Sequence, residues 1–429
     1  MKKIISLLDR VFNNDYLFSI IAKVMNLFVA IFVSAITARF FGVELKGVMS
    51  VVQNDVTLYA VFLGLGIYQA YPFFRKQEPD IMPIYINNIT SFYIILQAVS
   101  LLIAIIMIVN KINVYLALAI ILMPVEAYIK QLNYIVLVEH PKRRNCSSLI
   151  ISLSEIVLLA VIWMFFEASV VTVLAYYVCV VLTNLIISYI NLRYSPLKIR
   201  FSLKRILEFI KFGYIPMLVF LCMSINYKID IQMLKWYNNV SYADIGIYGT
   251  GVALASKVWL IPDAIKDILL SRLVKGKHEN EVAKVIRCSL AICTASVLVF
   301  LLIGKVVVLA LYGSDFADVY YIMAILFVGI ESMIFYKMVY SYNISRGKRT
   351  VNLLFLGIAA VVNIIGNLIF IPLYGIWGAA IMSVVSYLVC GLCFLVYFYR
   401  VSRIPMLKIL LLQKEDFEMV KKFFRKNGK

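Results

Sequence analysis

Residues 94–109 read IILQAVSLLIAIIMIV, residues 110–113 read NKIN, and residues 114–129 read VYLALAIILMPVEAYI. Two long apolar runs parted by a lysine and two asparagines describe a chain that reaches a membrane surface, turns and goes back. About 20 apolar residues at 1.5 Å each cross a ~30 Å hydrocarbon core. The same alternation of apolar runs with short gaps bearing Lys, Arg, Gly, Pro and Asn continues through the 429 residues. Composition agrees: 63% hydrophobic, 15% charged and a mean hydropathy of +0.92 leave too few polar residues to cover a water-soluble protein. In lipid the backbone must pair internally, and the alternating ten-residue pattern of barrel strands is absent, so the runs are helices.

The apolar runs centre near residues 28, 60, 97, 126, 157, 181, 224, 258, 297, 331, 361 and 388, which predicts about twelve transmembrane helices. Of the 42 Lys and Arg, thirty fall in one set of alternate gaps, from Lys2, Lys3 and Arg10 to the nine of the tail. The other gaps hold five: Arg39, Lys46, Lys111, Lys235 and Lys305. The positive-inside rule then puts both termini in the cytoplasm. The formal charge of +19 is spread over loops along one membrane face, which argues against nucleic acid as a partner.

Residues 1–14 read as a cytoplasmic lead-in, because Asp9 and Arg10 interrupt any signal-peptide core. Residues 408–426 mix Leu, Phe and Met with Lys and Glu, the pattern of a helix lying on the membrane surface. Seven cysteines, mostly inside apolar runs, do not form a disulfide framework. Cys390 and Cys393 read as packing residues, and no metal site is expected.

Two halves look related. The turn around Gly47 returns around Gly246, and Glu126 in the fourth helix returns as Glu331 in the tenth. Basic pairs follow each acid at equal distance, Arg143-Arg144 and Lys348-Arg349. This implies a six-helix bundle over 1–200, a second over 201–404 and an amphipathic cytoplasmic tail over 405–429.

Charges inside the runs are the candidate functional groups, because each is costly at membrane depth. Glu126 and Lys130 stand i,i+4 and can neutralise each other locally. Asp263, Lys266 and Asp267 lie about one turn apart behind Pro262. Lys23 and Lys257 have no acid at i±3 or i±4, and Lys228 has only Asp230, at a spacing that does not face it. These three lysines, with Arg39 as a fourth candidate, either line a cationic cavity suited to a phosphate or pyrophosphate or pair with acids on other helices. Asp55, Asp230, Glu331, Asn363 and Asn367 are candidate positions for a coupling ion. Walker A, nucleophile-elbow and HExxH patterns are missing, and the outer loops span a few residues only, so an enzyme is not expected.

Four segments carry a resemblance. They are Ala38-Arg39-Phe40-Phe41-Gly42-Val43-Glu44-Leu45-Lys46-Gly47, Lys211-Phe212-Gly213-Tyr214-Ile215-Pro216 with the later Gly246-Ile247-Tyr248, Leu311-Tyr312-Gly313-Ser314-Asp315-Phe316, and Asn363-Ile364-Ile365-Gly366-Asn367 leading to Ile371-Pro372-Leu373-Tyr374-Gly375-Ile376-Trp377-Gly378-Ala379-Ala380. In order and spacing these resemble the Wzx-type oligosaccharide flippases of the MATE-like MOP superfamily, over nearly the whole chain. Phe41 replaces the usual Leu, and Ser271-Arg272 stands where many relatives have a proline.

The resemblance implies a polysaccharide or O-antigen flippase in the bacterial inner membrane. It would move undecaprenyl-pyrophosphate-linked glycans to the outer leaflet by alternating access. No cofactor is implied, H+ or Na+ is the candidate coupling ion, and the partners are membrane lipid, a polysaccharide polymerase and glycosyltransferases. A MATE-like drug or cation antiporter is the alternative, and a membrane glycan polymerase or ligase a more distant one.

Overall fold

The computed structural model describes residues 15–194, 198–273 and 279–416, and these contain helices and turns without strands. The expected lead-in over 1–14 and the tail beyond residue 416 lie outside them. The helices are α1 (Asp15–Leu63), α2 (Ile67–Gln77), α3 (Ile81–Val109), α4 (Val114–Glu139), α5 (Pro141–Phe165), α6 (Val170–Leu192), α7 (Leu203–Leu234) and α8 (Tyr242–Ala255). A 3₁₀ turn, Ser256–Trp259, joins α8 to α9 (Leu260–Leu273). Then follow α10 (Glu279–Tyr312), α11 (Val319–Ile330), α12 (Met333–Ser345), α13 (Arg349–Ser402) and the short α14 (Met406–Leu410).

Two of these elements are too long for one crossing. The 49 residues of α1 and the 54 of α13 would extend roughly 73 and 81 Å at 1.5 Å per residue, far beyond a ~30 Å core. Each folds back at a glycine that leaves helical geometry: Gly42 at φ 75°, ψ 177° and Gly375 at φ 56°, ψ −131°. Residues with a Cβ rarely adopt such angles, so these glycines end one span and start the next.

Among the described residues eight helices are long and apolar enough to cross a membrane, nine when the pair bent by 43° at residues 331–332 counts as one span. Dividing α1 and α13 at their glycines makes eleven. The broken helix over 242–273, interrupted by Lys257, Asp263, Lys266 and Asp267, completes the expected twelve. Leu302 (82% exposed), Val171 (77%) and Met164 (75%) present to the outside the apolar surface that a bilayer covers.

The chain divides into two compact units, Met1–Gly249 and Thr250–Lys429. The sequence repeat places its boundary near residue 200, whereas the compact division keeps α7 with the first unit, where it packs on α1 and α2.

In the first unit α1 lies along α4 and α5, and α3 against α4. The break between α1 and α2 frees backbone carbonyls that lipid cannot satisfy, so side chains do so instead. Tyr85 donates to the Ile67 carbonyl at 2.6 Å, while the Gln131 amide reaches the Gly64 carbonyl at 3.5 Å and the Tyr93 hydroxyl at 3.1 Å. The Gly47 and Gly246 turns meet here. A Cβ on Gly47 would fall 1.7 Å from the Tyr242 carbonyl oxygen, and one on Gly246 would fall 2.3 Å from that of Val43.

In the second unit α11 and α12 pack on α13, α9 packs on α12, and α14 docks on α10. The break between α11 and α12 is held in the same way. Trp259 Nε1 donates to the Ile330 carbonyl at 3.0 Å, and Ser332 Oγ to that of Tyr387 at 2.7 Å.

Candidate functional site

Within the first unit, α1, α4 and α7 bring four polar side chains together. Lys228 Nζ donates to the Thr57 hydroxyl at 2.5 Å, and Lys130 Nζ reaches the Thr57 carbonyl at 3.4 Å. Glu126 lies 3.8 Å from the Lys130 ammonium, on the preceding turn of α4, and its charge also acts on Lys228. The Thr57 hydroxyl donates in turn to the Gln53 carbonyl at 2.8 Å. Lys130 and Glu126 keep side-chain exposures of 29% and 17%, so an outside molecule can reach the cluster.

The local i,i+4 pair read from sequence is therefore half of a larger group with two ammoniums to one carboxylate. Lys228 and Asp230 turn to different partners, as their spacing requires. Thr57 carries no charge and Lys130 has a local partner in Glu126, so neither stands out in the sequence as a site residue.

The candidate coupling residues of this unit are engaged with neighbours. The Asp55 side chain is 2% exposed and accepts from Lys235 Nζ at 2.8 and 3.0 Å. With its amide turned so that the NH₂ faces Asp55, Gln232 accepts from Lys235 and from the Tyr59 hydroxyl, which satisfies all four groups. Lys235, counted in sequence as a loop lysine, folds back onto a helix to neutralise Asp55. Asp230, also buried, accepts from the Tyr248 hydroxyl at 2.7 Å. Arg39 is exposed on α1, and the side chain of Lys23 lies outside the described residues.

In the second unit Lys257 occupies the 3₁₀ turn. Its ammonium is half-buried and makes no ion pair or side-chain hydrogen bond among the described residues. Lys337 is buried and held twice: Nζ lies 2.7 Å from Asp263 and 4.6 Å from the Trp259 ring centroid. Lys266 lies 3.7 Å from the same carboxylate. Glu331 sits at the break between α11 and α12, half-buried, with its charge acting on the buried Cys293 thiol. Asn363 and Asn367 are fully buried on α13, and the Asn367 amide donates to the Asn363 side chain. No cluster of three or more His, Cys, Asp or Glu suited to a metal occurs among the described residues.

Compared with solved structures, the chain is similar to the lipid II flippase MurJ in an inward closed conformation (TM-score 0.72, 15% identity, 91% of this chain and 89% of that chain). It is also similar to a multidrug resistance MATE family transporter of the MOP superfamily, inward-facing (TM-score 0.65, 17% identity, 89% and 95%). A third similar structure is a MOP superfamily transporter from Pyrococcus furiosus whose binding pocket is described as reversed in polarity (TM-score 0.61, 15% identity, 90% and 95%). By sequence, no protein-family model and no curated protein matches. At these identities the likeness is one of fold: this chain is a multi-pass helical membrane protein with the architecture of MOP and MATE transporters.

Proposed function

We propose that this chain is a flippase carrying undecaprenyl-pyrophosphate-linked oligosaccharide repeat units from the cytoplasmic to the outer leaflet of a bacterial inner membrane. The observation that carries the reading is the excess of cation over anion in the first unit. Lys130 and Lys228 converge on Thr57 with Glu126 as the carboxylate acting on both. Charge at membrane depth is costly and is retained where it meets a ligand or a partner. Two ammoniums against one carboxylate leave an attraction for an anion, which fits the pyrophosphate of such a lipid and repels a cationic drug. Lys257, which makes no ion pair among the described residues, is a further cation, in the other unit. A fold likeness to a lipid II flippase supports a lipid-linked substrate.

On this reading both termini are cytoplasmic, the two repeat halves give alternating access, and directed transport draws on an H+ or Na+ gradient. A membrane equilibrium is biased only by differential binding or a coupled gradient. Glycosyltransferases would supply the substrate and a polysaccharide polymerase consume it, and the chain itself carries no enzymatic activity.

Surface-glycan display in cells tests the reading. Lys228→Ala, Lys130→Ala and Lys257→Ala are expected to abolish or strongly reduce display at matched amounts of folded protein. Lys337→Ala is expected to lower the amount of folded protein instead, because it removes the closer of the two ammoniums on Asp263 and the cation over the Trp259 ring. Wild-type display in all three of these lysine variants, or resistance to cationic dyes conferred by the wild-type chain, would overturn it in favour of a drug antiporter.

A further inference from the structure

We infer that Glu126 is a resident counter-anion: it occupies the seat of the substrate's phosphate on Lys130 and Lys228 while the site is empty and yields it when substrate arrives. This rests on the anionic-substrate reading and deepens it by naming what the substrate displaces.

The geometry shows a site with more donors than acceptors. Two ammoniums carry six N–H donors between them. Facing them are the Thr57 hydroxyl at 2.5 Å, the Thr57 carbonyl at 3.4 Å and the Glu126 carboxylate. Thr57 is fixed, because its hydroxyl is committed to the Gln53 carbonyl one turn back on α1. Glu126 is not fixed in this way. Its oxygen stands 3.8 Å from Lys130 Nζ, outside the 2.7–3.2 Å range of a hydrogen bond, so charge alone holds it there. Its charge is also felt at the buried Tyr177 hydroxyl on α6.

A phosphate group brings several oxygens that accept charge-assisted hydrogen bonds from both lysines at once, which a carboxylate held at 3.8 Å does not. The incoming anion therefore wins the ammoniums, and the flexible glutamate swings aside. Once the anion leaves, Glu126 returns and lowers the attraction of the emptied site, which favours release over recapture. Glu126 thus sets affinity without touching the transported group, as a positioning residue.

The test measures binding of inorganic pyrophosphate to the full chain in detergent, with intrinsic fluorescence as readout and a thermal-unfolding control. Glu126→Gln removes the competing charge and keeps the side-chain shape, so it is expected to tighten pyrophosphate binding about tenfold or more. In cells the same variant should lower glycan display through slow release, a combination a merely structural glutamate would not produce. Lys228→Gln in the Glu126→Gln background should return the affinity to wild type or below. If Glu126→Gln is poorly folded, Glu126→Asp, which withdraws the carboxylate by one methylene, should show a smaller gain in the same direction.

Unchanged or weakened pyrophosphate binding in a folded Glu126→Gln protein, with Lys228→Gln still abolishing it, would overturn the counter-anion role and leave the anionic-substrate reading standing. Binding of ethidium but not pyrophosphate by every form would overturn both.

Discussion

Removing Lys235 should strand a buried carboxylate and destabilise the first unit. The Asp55 carboxylate is 2% exposed, and Lys235 Nζ reaches both of its oxygens at 2.8 and 3.0 Å. With Lys235→Met the carboxylate stays buried with the Gln232 amide and Tyr59 as its remaining polar neighbours. Breaking one partner of a buried pair costs about 3–5 kcal/mol, because the other charge is stranded. For a unit of this size that lowers the unfolding temperature by roughly 6 °C or more. Replacing both charges, Asp55→Leu with Lys235→Met, removes the stranded charge and should recover most of the loss. The two substitutions should therefore be non-additive by more than about 1.5 kcal/mol. Thermal unfolding of the purified protein in detergent, followed by size-exclusion chromatography, measures all three forms. A neutral Lys235→Met, or a double variant whose loss equals the sum of the singles, would refute the ion pair as a structural element.

Two glycines should respond with opposite signs. Gly47→Ala puts a methyl 1.7 Å from the Tyr242 carbonyl oxygen and forces two helices apart, at a cost of about 1–3 kcal/mol. Gly357→Ala meets open space inside α13 and should stabilise by about 0.5–1 kcal/mol in the same unfolding assay. The docking of α14 should fail in acid. Burial alone would raise the Asp416 carboxyl, but hydrogen bonds from Arg287 and the Gln413 N–H, with the Arg287 and Lys284 charges, hold it below the usual carboxylate range. A depressed folded value contributes stability above the unfolded pKa near 4, and that stability is lost as pH falls through the folded value. Proteolytic cleavage after residue 404 should accordingly be slow at pH 7, begin to speed up as pH falls past about 4 and become fast only below the depressed folded value, and it should be fast throughout in Arg287→Gln.

Local sequence pattern carried most of the fold. Run lengths located the spans, and Gly42 and Gly375 fall between runs centred at 28 and 60 and at 361 and 388, because a backbone that must reverse at a membrane surface needs a residue free to leave helical angles. The breaks inside spans were not legible. Those at residues 64–66 and 331–332 depend on Gln131, Tyr85, Trp259 and Ser332 supplying hydrogen bonds from distant segments, and no periodicity records them. Charge pairing was legible only along a single helix. Glu126 with Lys130, and Asp263 with Lys266, could be read at i,i+4 and i,i+3. Lys235 with Asp55, 180 residues apart, and Lys337 with Asp263, 74 apart, could not. Lys235 was assigned to a loop because the end of an apolar run and a side chain folding back onto it look the same in sequence.

Those long-range pairs change what an intramembrane lysine signifies. A buried ammonium whose donors meet a carboxylate from another helix is accounted for by packing, and Lys235 and Lys337 belong there. Lys228 differs: its direct acceptor is the neutral Thr57 hydroxyl, and it shares the nearby Glu126 charge with Lys130. Among the described residues Lys257 meets no carboxylate either. A chain that needed Lys228 for stability alone would lose little by replacing it with leucine, since a cation is among the most expensive groups to hold in a low dielectric. An anion that reaches Lys228 and Lys130 during the working cycle would offset that cost while bound, and between visits Glu126 would stand in its place.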